Sequence, residues 1–125
     1  MVFFPFIPLA VVMIAIVAAL HLYILVLEMF WWRAPRGLRS FGMTQEVADS
    51  SAKLAANQGL YNGFLAAGLL WGLAAYGVPQ GRPIFTFFLV CIIVAGLYGG
   101  LTVNRRIILI QSLPAFIALA LVWLS

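Results

Sequence analysis

The seven Lys/Arg and three Asp/Glu of this 125-residue chain fall in clumps, leaving residues 1–27, 54–81, 83–104 and 107–125 free of formal charge. At ~1.5 Å rise per residue, each window is about long enough to cross a ~30 Å hydrocarbon layer as a helix. Composition agrees: 66% of residues are hydrophobic and 8% charged, where soluble domains carry roughly a quarter charged. That is too little ionised surface to keep an aqueous domain dispersed, and too much apolar length for one small core. The expected fold is all-α, an integral membrane four-helix bundle forming a single transmembrane domain over 1–125. Its helices are expected at about 8–32, 45–77, 83–103 and 105–124.

A single cysteine, Cys91, excludes an internal disulfide framework, and neither a CxxC pair nor a His/Cys cluster of zinc spacing occurs, so no metal site is expected. The net charge of +4 is explained by arginines between spans rather than by nucleic-acid binding. The N-terminus lacks a basic leader, and its apolar run continues to Glu28, so the first helix is expected to be retained rather than cleaved. Arg33, Arg36 and Arg39 lie in the first connection, Arg105 and Arg106 in the third, and only Arg82 in the second. The positive-inside rule then puts the first and third connections in the cytoplasm and both termini on the outer side. The predicted location is multi-pass, in the inner (cytoplasmic) membrane of a bacterium.

Pro5 and Pro8 suit an approach to the first helix, and Trp31–Trp32 mark its interfacial end. Residues 33–42, with Pro35, Gly37 and Gly42, read as an irregular connection lying on the membrane surface. Thr44 is the predicted N-cap of the second helix, with Glu46 and Asp49 near the positive end of its dipole and Asp49/Lys53 spaced i, i+4. Turn formers around Gly77–Pro79 end it, and Tyr76 joins Trp71 and Trp123 in the outer aromatic belt. Gly59/Gly63 and Gly68/Gly72 have the small-xxx-small spacing that lets helices approach closely. Pro114 should loosen the fourth helix near Gln111.

Polar side chains within spans are the informative ones, because lipid offers them no hydrogen-bond partner. Counted along the helices, Glu28 lies roughly 6 Å from the Trp32 end, Tyr98 roughly 8 Å from Val103 and Gln111 roughly 8 Å from Arg106. Asn57, Gln58, Tyr61 and Asn62 fall in the same inner layer, which predicts a polar cavity opening to the cytoplasm beneath Arg33, Arg105 and Arg106. His21, seven residues before Glu28, shares its face nearer mid-membrane. Each feature also has a structural reading: an ion pair for Glu28, a hydrogen bond to a neighbouring helix for His21, interhelical bonding for the amides.

Three stretches carry a family resemblance: His21-Leu-Tyr-Ile-Leu-Val-Leu-Glu-Met-Phe30; Ala56-Asn-Gln-Gly-Leu-Tyr-Asn-Gly-Phe64; and Tyr98-Gly-Gly-Leu-Thr102 through Arg106, Gln111 and Pro114. They resemble the bacterial membrane-protein family known as domain of unknown function 1304, which implies a small four-helix membrane protein and no particular reaction. The chain is also similar, more distantly, to the membrane-associated proteins of eicosanoid and glutathione metabolism. That likeness implies a trimeric bundle with glutathione as co-substrate and a role for Asn57. Ala56 and Leu60 stand where that family carries an arginine and an acidic residue.

Three functions follow as expectations. The first is a membrane protein that binds or transforms a small lipophilic or amphipathic ligand. In it, His21, Arg33, Asn57, Gln58, Asn62, Arg105, Arg106 and Gln111 bind, while Glu28, Tyr61 or Tyr98 supplies acid chemistry. The second is a small proton-coupled transporter using Glu28 and His21. The third is an accessory or structural subunit. Expected partners are the lipid bilayer and either further copies of the chain or other membrane subunits.

Overall fold

The computed structural model describes residues 7–75 and 80–124. The expected approach through Pro5, and the turn at Gly77–Pro79 with Tyr76, lie outside them. Among the described residues all secondary structure is helical: α1 (Ile7–Met29), α2 (Pro35–Phe41), α3 (Gln45–Ala74), α4 (Gly81–Thr102), a π-helical segment (Ile108–Ser112) and α5 (Leu113–Leu124). Leu9–Met29 of α1 and the whole of α4 are long and apolar enough to cross a membrane; the apolar stretch Ile108–Leu124 is shorter.

The connection expected to be irregular contains α2. Its breakers act as start and stop signals. Ala34 is extended, Pro35 occupies the first turn, and Gly42 takes the left-handed conformation at φ 62°. Gly42 and Met43 both donate to Leu38 O, the latter at 2.9 Å, closing the helix end. Thr44 caps α3 as its sequence position predicts, its Oγ1 accepting the Val47 N–H at 3.2 Å. Asp49, expected to face Lys53, instead accepts from Gln45 Nε2 at 2.9 Å. Where Pro114 was expected to loosen the last helix, the turn before it widens: Leu113 N–H reaches back five residues to Ile108 O. Proline lacks an N–H and its ring crowds the carbonyl four residues earlier, and a wider turn accommodates both.

Many large apolar side chains are exposed, and several polar ones are buried. On α1 Ala10, Ile14, Val17, Ala18, His21, Leu27 and Glu28 are buried, while Leu9, Val12, Ile16 and Leu22 are exposed. On α3, Ala48, Ala55, Asn62, Ala66 and Leu69 are buried while Leu54, Phe64, Leu70 and Trp71 are exposed. On α5, Ala115, Ala118 and Val122 are buried and Phe116 and Leu124 exposed. Large apolar groups thus lie on both inner and outer faces, and His21, Glu28 and Asn62 lie within.

The chain forms two compact units, one of residues Ala19–Ala66 and one drawn from the rest. Within the first, α1 and α3 run antiparallel and meet through glycine. A Cβ on Gly59 would lie 2.7 Å from Met29 Cγ and 3.0 Å from Glu28 Cβ, and one on Gly63 2.7 Å from Leu25 Cδ1. α2 folds back on the end of α1 so closely that a Cβ on Gly37 would overlap the carbonyls of Trp31 and Trp32. Within the second unit, Gly68 and Gly72 of α3 accept the rings of Phe88 and Phe85 from α4. Gly96 and Gly100 of α4 accept Ser112 and Ile108, and Ser112 Oγ donates to Ile93 O at 2.9 Å.

Gly37→Ala is expected to destabilise the protein by roughly 1–3 kcal/mol, because the obstacles are backbone atoms that cannot rotate away. Gly42→Ala meets open space and should cost only the left-handed backbone penalty, about 1–2 kcal/mol. Thermal melting of the purified protein in detergent, followed by circular dichroism, checks both. A Gly37→Ala melt identical to that of the unaltered protein would contradict the described approach of α2.

Candidate functional site

The Ala19–Ala66 unit holds a polar pair on an otherwise apolar helix contact. Glu28 lies in the last turn of α1, where the helix dipole disfavours a carboxylate and no basic side chain is present to offset it. The side chain is 8% exposed, so it needs an internal partner. Asn62 of α3 supplies it: its Nδ2 donates to Glu28 Oε1 across the α1–α3 contact. The same Nδ2 group reaches its own helix at Gln58 O, 3.3 Å away, which anchors the amide while its other N–H points at the carboxyl group. Gly59, one turn from Asn62, permits this, because its missing side chain lets α3 come down onto Glu28 and Met29.

His21 is fully buried on the same face of α1, roughly 10 Å along the axis from Glu28. Among the described residues no buried side-chain nitrogen or oxygen is without a hydrogen-bond partner. A carboxyl group offers two oxygens, of which Asn62 engages one. The pair is thus a fixed acceptor at the end of an apolar helix, with capacity for a further donor.

A collar of aromatic and basic side chains surrounds this end of α1. Trp32 Nε1 donates to Ser51 Oγ at 3.1 Å, and the Trp32 ring packs on Phe41 at 4.8 Å between centroids. Arg36 Nη1 donates to Tyr23 OH at 3.3 Å, with its guanidinium carbon 6.0 Å from the centre of the Trp31 ring. Arg33, the structural alternative as a partner for Glu28, is exposed, and its carbonyl accepts from Gln45 Nε2 at 3.3 Å.

Of the other residues singled out in the sequence, Asn57, Gln58 and Tyr61 are exposed on α3, with Tyr61 edge-on to Phe64 at 5.9 Å. Tyr98, Arg105 and Arg106 are exposed, and Gln111 is half-buried in the π-helical segment. The expected polar residues thus come together in this unit as Glu28 with Asn62. Asn57, the residue that matches the glutathione-metabolising proteins, is flanked by Ala56 and Leu60, which carry no charge for the carboxylates or amine of a tripeptide. The residues present do not fit glutathione. Among the described residues no group of three or more His, Cys, Asp or Glu could hold a metal ion.

Sequence reasoning missed the bonds of Trp32 to Ser51 and of Arg36 to Tyr23. It also missed a cluster in the other unit, where Trp123 Nε1 donates to Thr86 Oγ1 at 2.8 Å. These pairs lie far apart in the chain, and no local spacing announces them.

The family model described as "Protein of unknown function (DUF1304)" matches residues 15–123, a span that includes Glu28, Asn62 and the collar. An uncharacterized protein, YpaA, of Lactococcus lactis subsp. lactis (strain IL1403) is 35% identical over 113 residues, covering 89% of this chain and 93% of that protein. No solved structure matches.

Asn62→Leu is expected to lower stability by roughly 1–3 kcal/mol, since it leaves the Glu28 carboxyl group buried without its donor. The Glu28→Leu/Asn62→Leu double variant should regain much of that loss. Steric-trap or denaturant unfolding of the two single variants and the double variant measures the coupling, expected at roughly 0.6–1.7 kcal/mol as between membrane helices. Strict additivity would mean that the two side chains do not act as a pair.

Proposed function

The chain belongs to the DUF1304 family of proteins of unknown function, and we propose that it is a multi-pass integral membrane protein that binds a small lipophilic or amphipathic ligand at the Glu28–Asn62 pair. The observation that carries the membrane reading is the outer surface of the helices. Leu, Val, Ile and Phe side chains stand exposed along α1, α3, α4 and α5 while the polar His21, Glu28 and Asn62 are buried, which suits a hydrocarbon solvent. Four spans are proposed: α1, the charge-free part of α3 from residue 54 onward, α4, and the stretch from Ile108 to Leu124. The last has 17 residues, at the lower limit of spanning lengths. Arginine counts in the connections favour both termini outside, in the inner membrane of a bacterium.

Glu28 supports the ligand reading because an ionisable group within a span is costly, and its position in the last turn of α1 adds to that cost. Asn62 meets one oxygen of the carboxyl group. The ligand class this fits has an apolar body, which enters from the lipid, and one donor group such as an amine or hydroxyl, which bonds the carboxyl. The burial of His21 on the Glu28 face favours a second reading, proton-coupled transport, in which both groups lie along one path.

The two readings separate experimentally. Native mass spectrometry of protein released from its own membranes should find a small molecule on the unaltered chain that falls at least ten-fold in Glu28→Gln, with helix content unchanged. Identical small-molecule profiles for the two proteins would sink the binding reading. Flux in vesicles driven by a pH gradient, and abolished by both Glu28→Gln and His21→Ala, would establish transport instead.

A further inference from the structure

On the outer face of α1, within the Ala19–Ala66 unit, an arginine is brought in from beyond the helix end. Tyr23 and Phe30 are seven residues apart and both exposed, so they stand on one side of the helix, away from the buried His21 and Glu28. The close fit of Gly37 against the carbonyls of Trp31 and Trp32 folds α2 back and carries its neighbour Arg36 to that side. Arg36 Nη1 donates to Tyr23 OH at 3.3 Å, and the guanidinium carbon lies 6.0 Å from the centre of the Trp31 ring. Both partners are neutral. Among the described residues no carboxylate forms an ion pair with Arg36, so its charge is oriented but not neutralised. The unit's exposed acids, Glu46 and Asp49, lie at the start of α3, where Asp49 accepts from Gln45 Nε2. Arg36, Tyr23 and Trp31 are all exposed.

Protons decide what this arrangement can hold. A guanidinium carries several N–H donors and no acceptor, and the bond to Tyr23 uses one of them. Because Tyr23 OH accepts from Arg36, its own proton is left to donate, and no group among the described residues takes it up. Two donors, one of them cationic, thus share one exposed spot and call for an anionic oxygen, and the guanidinium fork suits phosphate. Position selects the source of that phosphate. Tyr23 lies six residues, roughly 9 Å, before the end of α1 at Met29, and Leu9–Met29 is long and apolar enough to cross a membrane. The guanidinium therefore stands beside the last turns of the span, where hydrocarbon gives way to headgroups, and the exposed rings of Phe30 and Trp31 suit the same level. A phospholipid brings its phosphate to this level and hydrocarbon to the exposed face beyond it, which a free anion does not. A zwitterionic headgroup also carries its own cation, which the unneutralised Arg36 repels.

We propose that Arg36 and the Tyr23 hydroxyl hold the phosphate of an anionic phospholipid in the leaflet at this end of α1, with an acyl chain against the exposed face of the helix. The proposal rests on the membrane reading above but not on the Glu28–Asn62 site. Failure to insert into bilayers would overturn the membrane reading and this proposal with it, whereas insertion without lipid preference would overturn this proposal alone.

The test is native mass spectrometry of the protein ejected from nanodiscs of equal parts phosphatidylglycerol and phosphatidylcholine. Retained lipid should be enriched in phosphatidylglycerol at least three-fold. Arg36→Gln should abolish the enrichment, and Tyr23→Phe, which keeps the ring and deletes only the hydroxyl, should at least halve it. Arg39→Gln, which removes an equal charge from an exposed position on the same short helix, should leave it unchanged. If Arg36→Gln does not fold, Tyr23→Phe and Arg39→Gln decide. Equal retention of both lipids by the unaltered protein would overturn the proposal, as would an enrichment untouched by Tyr23→Phe. The same loss in Arg39→Gln as in Arg36→Gln would mean diffuse attraction between charges rather than a site. Displacement of the lipid by 10 mM inorganic phosphate would identify a site for soluble anions. Either result would also overturn it.

Discussion

Close approach of helix backbones is the condition on which this structure depends. In the hydrocarbon solvent proposed above, helices with outer faces rich in Leu, Val, Ile and Phe gain little by burying more of the same, so association comes from dispersion at short range and from polar bonds between helices. Small residues make both available. The α1–α3 contact passes over Gly59 and Gly63, the rings of Phe85 and Phe88 fill the hollows at Gly72 and Gly68, and the contact of α4 with the π-helical segment closes over Gly96 and Gly100. Each of these glycines is occupied by a neighbour's atoms rather than needed for an unusual backbone angle. The exception is Gly42, whose positive φ ends α2.

Two polar bonds between helices sit beside these glycines. Ser112 Oγ reaches Ile93 O beside Gly96, and Asn62 reaches Glu28 beside Gly59. The coincidence has a physical cause: short side chains such as Ser and Asn bridge two helices only when glycine has removed the intervening atoms. The Ser112 bond is satisfied by a backbone carbonyl and reads as packing. The Glu28 bond differs because it engages one oxygen of a group that has two, at a helix end where the dipole opposes negative charge.

Much of this was legible in the sequence, and the parts that were not share a cause. The charge-free windows and the caps are local signals: α1, α3 and α4 each take up most of one window and run past its edge into charged residues, with Thr44 capping α3 as expected. The Gly59/Gly63 and Gly68/Gly72 spacings identified real points of close approach. Pro35 and Gly42 were read as breakers, whereas over so short a distance the same two residues delimit one short helix. The pairing of Glu28 with Asn62 was only half visible. Both residues were singled out, but depth along a helix gives no rotation about its axis, so Asn57 and Gln58 looked as well placed as Asn62. Rotation decides: the buried residues Ala48, Ala55, Asn62, Ala66 and Leu69 recur at intervals of seven, four and three, Asn57 faces away from that stripe and Gln58 stands exposed at its edge.

The reading proposed for Glu28 is that it is more than a fastener. An amide pair, or a serine donating to a carbonyl as Ser112 does, would join α1 to α3 without a group that ionises. A carboxyl group in this position carries both the cost of desolvation and the unfavourable end of the helix dipole. The chain meets that cost with a dedicated partner, Asn62, pinned to Gln58 O and brought within reach by Gly59. Around it stands a collar in which Trp32 is held by Ser51 and Arg36 by Tyr23. Supporting interactions of this kind fix a costly group in one orientation. A helix joint needs no such orientation, whereas a site that must present a carboxyl oxygen to a ligand or a proton does.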